Sequence, residues 1–159
     1  MTRPGLRTLR RTWWALVPLV MASCSSGTGS GTPPGSADGS LKSADSTVMA
    51  AMSAYAAQVN LCEAASSSVA CLEVADRTLG NRIHTYANLL AVGHGFSVPQ
   101  ADLATSRNDA QTLANSLEIL GDAQPTQANY DKVRNSFDVQ GAITQLQRAV
   151  AKVTGALHS

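Results

Sequence analysis

The groups able to do chemistry in this 159-residue chain are three cysteines, three histidines and eleven carboxylates. A metal or haem site inside a helical protein needs ligands at helical spacing, such as Glu-x-x-His on facing helices or His-Glu-x-x-His on one. Neither pattern occurs. His84 follows Ile83 and precedes Tyr86, which suits a half-exposed helix histidine better than an axial ligand. His94 stands between Gly93 and Gly95 and reads as part of a helix stop, and His158 lies near the end of the chain. Among the carboxylates, Glu73 and Asp76 are helical neighbours close to Arg77 and Arg82, the spacing of ordinary surface ion pairing. Asp102 and Asp109 are about two helical turns apart. A paired-carboxylate hydrolase needs two such groups converging in one cleft, and nothing in these spacings brings a pair together. Serines are many, yet no Gly-x-Ser-x-Gly occurs and no serine has an evident base. The reading is therefore of a chain with no catalytic residue, no metal site and no cofactor. Asn88, Asn108, Gln111 and Asn115 give the middle of the chain a high amide density. That pattern fits either a polar surface for a partner or a solvated face low in charge.

Cys24 is set apart by what precedes it. Arg3, Arg7, Arg10 and Arg11 lead into an apolar run, Trp13 to Ala22, and then Ser23-Cys24. A basic start, about ten apolar residues and small residues at the end make the layout of an export signal. Ten residues rise only about 15 Å as a helix, half of a bilayer core, so the run is too short to read as a membrane span. The segment Met21-Ala22-Ser23-Cys24 resembles the lipobox of bacterial lipoproteins, with Met21 where Leu or Val is usual. The resemblance covers only the first 24 residues. It implies removal of residues 1–23 and acylation of Cys24 through a diacylglyceryl group. Two or more chains anchor a protein stably where one does not. The expected place is the outer face of the cell membrane, with the membrane engaged through Cys24. An ordinary secreted protein cut nearby, with Cys24 a free thiol, is the alternative. Arg10-Arg11 raises a twin-arginine route, although the flanking residues fit that signal poorly.

With the signal removed, the charge balance inverts. Four of the twelve Lys and Arg precede Cys24, leaving eight bases against eleven acids, a net −3. The basic excess belongs to the export signal, and no Lys/Arg cluster remains to bind nucleic acid. With Cys24 given to lipid by the resemblance, Cys62 and Cys71 remain as an even pair in an oxidising compartment. A disulfide between them, closing a loop of about ten residues, would contribute roughly 2.5–3 kcal/mol through loop entropy. Two buried free thiols are the alternative.

The elements that must position these groups follow from periodicity. Residues 25–40, rich in Gly, Ser and Pro, read as a flexible tether, so that the chain divides into signal 1–23, lipidated cysteine and tether 24–40, and domain 41–159. A first helix is predicted over 44–62, with Val48, Met52, Tyr55, Val59 and Cys62 on one face and Ser43 or Asp45 as its cap. Glu63 to Ser68 reads as a turn with a serine cap. A second helix, 68–92, carries Leu72, Ala75, Leu79, Ile83, Tyr86 and Leu90, with Gly80 marking a close approach and Gly93-His94-Gly95 the stop. A third begins near Pro99 with Leu103, Ala110, Leu113, Leu117 and Leu120, its stripe interrupted at Ser106 and Arg107, so that its first half is expected to pack weakly. Pro125-Thr126 starts a fourth with Tyr130, Val133 and Phe137. The phase slips there, and Val139, Ile143, Leu146, Val150, Val153 and Leu157 form a new stripe, so a break or bend is predicted near 138–141. The fold class is all-α, a small antiparallel four-helix bundle. The expected function is that of a lipid-anchored, non-enzymatic interaction module with another envelope protein as partner. The second possibility is a carrier of an apolar or haem-like ligand, with Ala56, Gly80 and Ala114 lining its cavity.

Overall fold

In the computed structural model, residues 34–64, 69–122 and 126–158 are described, and all belong to the compact unit Gly31–Ser159. The predicted signal 1–23, Cys24 and the tether as far as residue 33 lie outside the described residues. So do the predicted serine cap at 65–68 and Pro125. The described chain is all helical, with α1 Pro34–Ala64, α2 Val69–Val92, α3 Gln100–Gly121, α4 Gln127–Arg134 and α5 Val139–Ala156. None of these helices is long and apolar enough to cross a membrane.

The predicted stripes are the core. Val48, Met52, Tyr55, Val59 and Cys62 of α1 are buried with Leu72, Ala75, Leu79, Ile83, Tyr86 and Leu90 of α2. Leu103, Ala110, Leu113, Leu117 and Leu120 of α3 meet Ile143, Leu146, Val150 and Val153 of α5 in the same core. Helix α2 packs on α1 and α3, and α5 packs on α3 and α1, while the short α4 touches α3. A side chain on Gly80 would stand 3.3 Å from Leu117 Cβ, so α2 and α3 approach closely there, as expected from the sequence.

Three expectations are corrected. There are five helices among the described residues rather than four. Asp138 accepts a hydrogen bond from the Gly141 N–H at 2.9 Å and caps α5, so the phase slip is a true chain break after α4. The first helix begins at Pro34, not near 44, and takes residues 34–40 from the predicted tether. Proline suits a first helical position because its missing N–H is not needed there. Asp38 then accepts the Ser97 N–H at 2.8 Å, which ties the start of α1 to the α2–α3 connection and holds the Asp38 carboxyl below its usual range. Third, the first half of α3 is not weakly packed at Ser106, because that serine is fully buried.

The fourth helix is also shorter than expected: α4 ends at Arg134, so Phe137 lies in the turn before α5 and not on the helix. Thr126 caps α4 by accepting the Asn129 N–H. Helix α2 ends before Gly93, and Gly95 takes φ +82°, a left-handed conformation that glycine adopts without a Cβ penalty.

Candidate functional site

Three polar side chains are buried among the described residues, Asp45, Asp76 and Ser106. They form two clusters. Asp76 of α2 accepts hydrogen bonds from Tyr55 Oη of α1 at 2.7 Å and from Tyr130 Oη of α4 at 2.6 Å. Asp45 of α1 accepts from Tyr86 Oη of α2 at 2.9 Å and from Thr154 Oγ1 of α5 at 2.8 Å. Tyr86 Oη also lies 3.2 Å from Ser106 Oγ of α3. The two clusters together reach all five helices, and they use every tyrosine of the chain.

The electrostatics follow from burial. Loss of water raises both Asp45 and Asp76 above the usual carboxylate range, and the hydroxyls that donate to them offset part of that rise. Arg134 on α4 also favours the ionised form of Asp76. Burial raises Tyr55, Tyr86 and Tyr130 too, with the adjacent carboxylate adding to it, so the phenols stay protonated and act as donors. Each buried side-chain nitrogen or oxygen among the described residues has a partner. These clusters bind helix to helix, and Asp76 is closed to solvent.

Sequence reasoning placed both carboxylates elsewhere. The sequence offers Ser43 or Asp45 as the cap of α1, and puts Asp76 on the surface beside Glu73, Arg77 and Arg82. The cap assignment fails because α1 starts eleven residues before Asp45. The surface assignment fails because Asp76 faces Tyr55 and Tyr130, while the Arg77 guanidinium donates to the Gly121 carbonyl at the end of α3. A signal was present. Leu41, Asp45, Val48, Met52, Tyr55, Val59 and Cys62 advance by alternating steps of four and three. So do Leu72, Asp76, Leu79, Ile83, Tyr86 and Leu90, and Ser106 lies in phase between Leu103 and Ala110. All three buried polar residues sit on the seam of their helix, where a polar residue sets register between partners at some cost in stability.

The other candidate residues are placed as follows. Cys62 and Cys71 stand at disulfide distance, Cα to Cα 5.7 Å, joining the end of α1 to the start of α2. His84, His94 and His158 are exposed, as are Asn88, Asn108, Gln111 and Asn115. Asp109 accepts from Gln145 of α5 at 2.9 Å. No three His, Cys, Asp or Glu side chains among the described residues gather as metal ligands. The expected cavity wall divides: Ala56 is exposed, whereas Gly80 and Ala114 floor a cleft of about 330 Å³ with Arg77, His84 and Glu118 at its sides. Charged side chains border that cleft, so its lining is mixed and not the apolar wall expected.

Larger grooves run along both flanks of α1. One of about 530 Å³ between α1 and α2 is lined by Ala50, Ala51, Ala54, Tyr55, Gln58 and Arg82. The other, about 520 Å³, lies between α1 and α5. Alanines on α1 leave the first groove shallow. Leu61, Val74, Val92 and Ile119 add exposed apolar side chains elsewhere on the surface. No family model, curated protein or solved structure matches this chain.

Proposed function

We propose that this chain is a lipid-anchored, extracytoplasmic lipoprotein that acts as a non-enzymatic interaction module of the cell envelope. Residues 1–23 are the removed signal, Cys24 bears the acyl chains, and the residues up to α1 tether the domain to the membrane. The domain is an antiparallel bundle of four long helices, α1, α2, α3 and α5, with α4 as a short crossing piece. The contact pairs 45–86, 55–76 and 62–71 run in opposite senses along α1 and α2 and support that arrangement.

One observation carries the interaction reading. The buried polar groups, the only interior chemistry among the described residues, spend their bonding on one another across helices. Those bonds tie the helices together. The grooves flanking α1 and the exposed Leu61, Val74, Val92 and Ile119 are then the surfaces available to a partner.

The test has two arms in intact cells. Wild type is expected in the membrane fraction, processed and carrying acyl mass, while Cys24→Ser remains unprocessed and loses its lipid mass. Cross-linking through surface positions along α1 is expected to give a discrete protein adduct. Unchanged maturation and lipid mass in Cys24→Ser would sink the anchoring half, and a smear with no discrete adduct would sink the partner half.

A further inference from the structure

The two buried carboxylates occupy equivalent seam positions, yet their surroundings differ. Asp76 is fully enclosed and has the Arg134 charge favouring its ionised form. Asp45 has only neutral donors, Tyr86 and Thr154, and among the described residues no Lys, Arg or His forms an ion pair with it. Asp45 is also the one that borders a groove. It lies with Thr154 in the wall of the α1/α5 groove, whose apolar lining comes from Met49, Val150 and Ala151. The volume, about 520 Å³, falls in the range of small-molecule sites.

The geometry points to this groove as a binding site for a small apolar cation of the alkylammonium class, with Asp45 as its counter-ion. An ionised carboxylate offers about four acceptor positions, and the two hydrogen bonds to Asp45 fill one on each oxygen. An ammonium head donates to the free positions. Its hydrocarbon tail lies on Met49 and Ala151 and covers apolar surface that water otherwise wets. A buried carboxylate lacking a cation is costly, and an incoming cation removes that cost where a neutral or anionic head does not. Lys42 and His158 also border the groove, and His158 Nδ1 lies 2.7 Å from the Thr154 carbonyl. A chain with an anionic head on Lys42 is the rival occupant, and it leaves Asp45 uncompensated.

The test uses the full chain in phosphatidylcholine nanodiscs, with empty nanodiscs as the blank for membrane partition. Heptylammonium, heptan-1-ol and heptanoate are titrated and followed by ligand-observed NMR. Heptylammonium is expected to bind saturably and about tenfold more tightly than heptan-1-ol, the scale of one charge-assisted hydrogen bond, with heptanoate weakest. Asp45→Asn keeps an acceptor for Tyr86 and is expected to shrink the ammonium preference to within about twofold. Ala151→Trp, at an exposed position, is expected to abolish saturable binding by filling the groove. Equal affinity for the three probes, tightest binding of heptanoate, or a preference that survives Asp45→Asn overturns the assignment. Should Asp45→Asn fail to fold by circular dichroism, Ala151→Trp decides: undiminished heptylammonium binding in that variant also overturns it.

Discussion

Tyr55 and Tyr130 converge on one carboxylate, and that arrangement gives Asp76 a definite pH signature. Burial holds its folded-state pKa above the unfolded value, with the tyrosine hydroxyls and Arg134 opposing the rise only in part. The folded state therefore binds the proton more tightly than the unfolded chain. The resulting contribution is fully present below the unfolded carboxylate pKa of about 3.9 and is lost as pH rises through the folded value. Asn at this position cannot titrate, but it can still accept from one tyrosine and donate to the other. The stability of wild type minus that of Asp76→Asn should therefore grow as pH falls from 7 to 4, by about 1.4 kcal/mol for each unit of the raised pKa. Urea melts at the two pH values measure it, and parallel losses in the two proteins would refute it. The inward position of all three tyrosines was legible from their spacing. Their partners were not, because Tyr130 and Asp76 are 54 residues apart and a local pairing rule offers Arg77 first. Reading the seam phase irrespective of polarity would have found Asp45, Asp76 and Ser106.

Helix boundaries were legible where a local signal sets them. Asp138 caps α5 within three residues of itself, and a phase slip in the sequence marks the same place. The start of α1 was not, because the Gly, Ser and Pro content of residues 25–40 outweighs any helical signal, and the Asp38–Ser97 hydrogen bond is not local. The α5 cap also decides how Gly141 responds to mutation. A Cβ on Gly141 would fall 2.1 Å from Asp138 Oδ2, inside contact distance, so the capping carboxylate must swing away. Gly141→Ala in the wild type is expected to lose the cap, costing about 1 kcal/mol, which cancels or exceeds its helix-propensity gain of a similar size. Asp138→Ala alone should cost about 1 kcal/mol. In the Asp138→Ala background nothing opposes the new methyl, and Gly141→Ala should become stabilising by up to about 1 kcal/mol. Thermal melts of the four proteins read this change of sign. Additive effects would show that Asp138 and Gly141 act independently, which the geometry forbids.

Across the molecule, α1 is the least embedded of the long helices. Grooves open on both of its flanks, and it packs more sparsely on α2 and α5 than α2 packs on α3. Four ties compensate along its length: Asp38 to Ser97 near the start, the two tyrosine–aspartate clusters in the middle, and Cys62–Cys71 at the end. The nearness of Cys62 and Cys71 was expected once the lipobox resemblance set Cys24 aside, whereas the sparse packing around α1 depends on where alanines face and emerges only in three dimensions. A cross-link of nine-residue separation restrains the unfolded chain by roughly 2.5–3 kcal/mol. Set against a total stability of about 5–15 kcal/mol, that is a large share for a domain whose first helix has grooves on both sides. Reduction with dithiothreitol, or Cys62→Ala with Cys71→Ala, should lower the unfolding free energy in urea by that amount. The two treatments should agree, because both remove the same restraint. Alanine at Cys62 also empties part of a fully buried site, so the variant should lie slightly below the reduced wild type. A loss under about 1 kcal/mol on reduction would mean that the remaining ties hold α1 without the sulfur bridge.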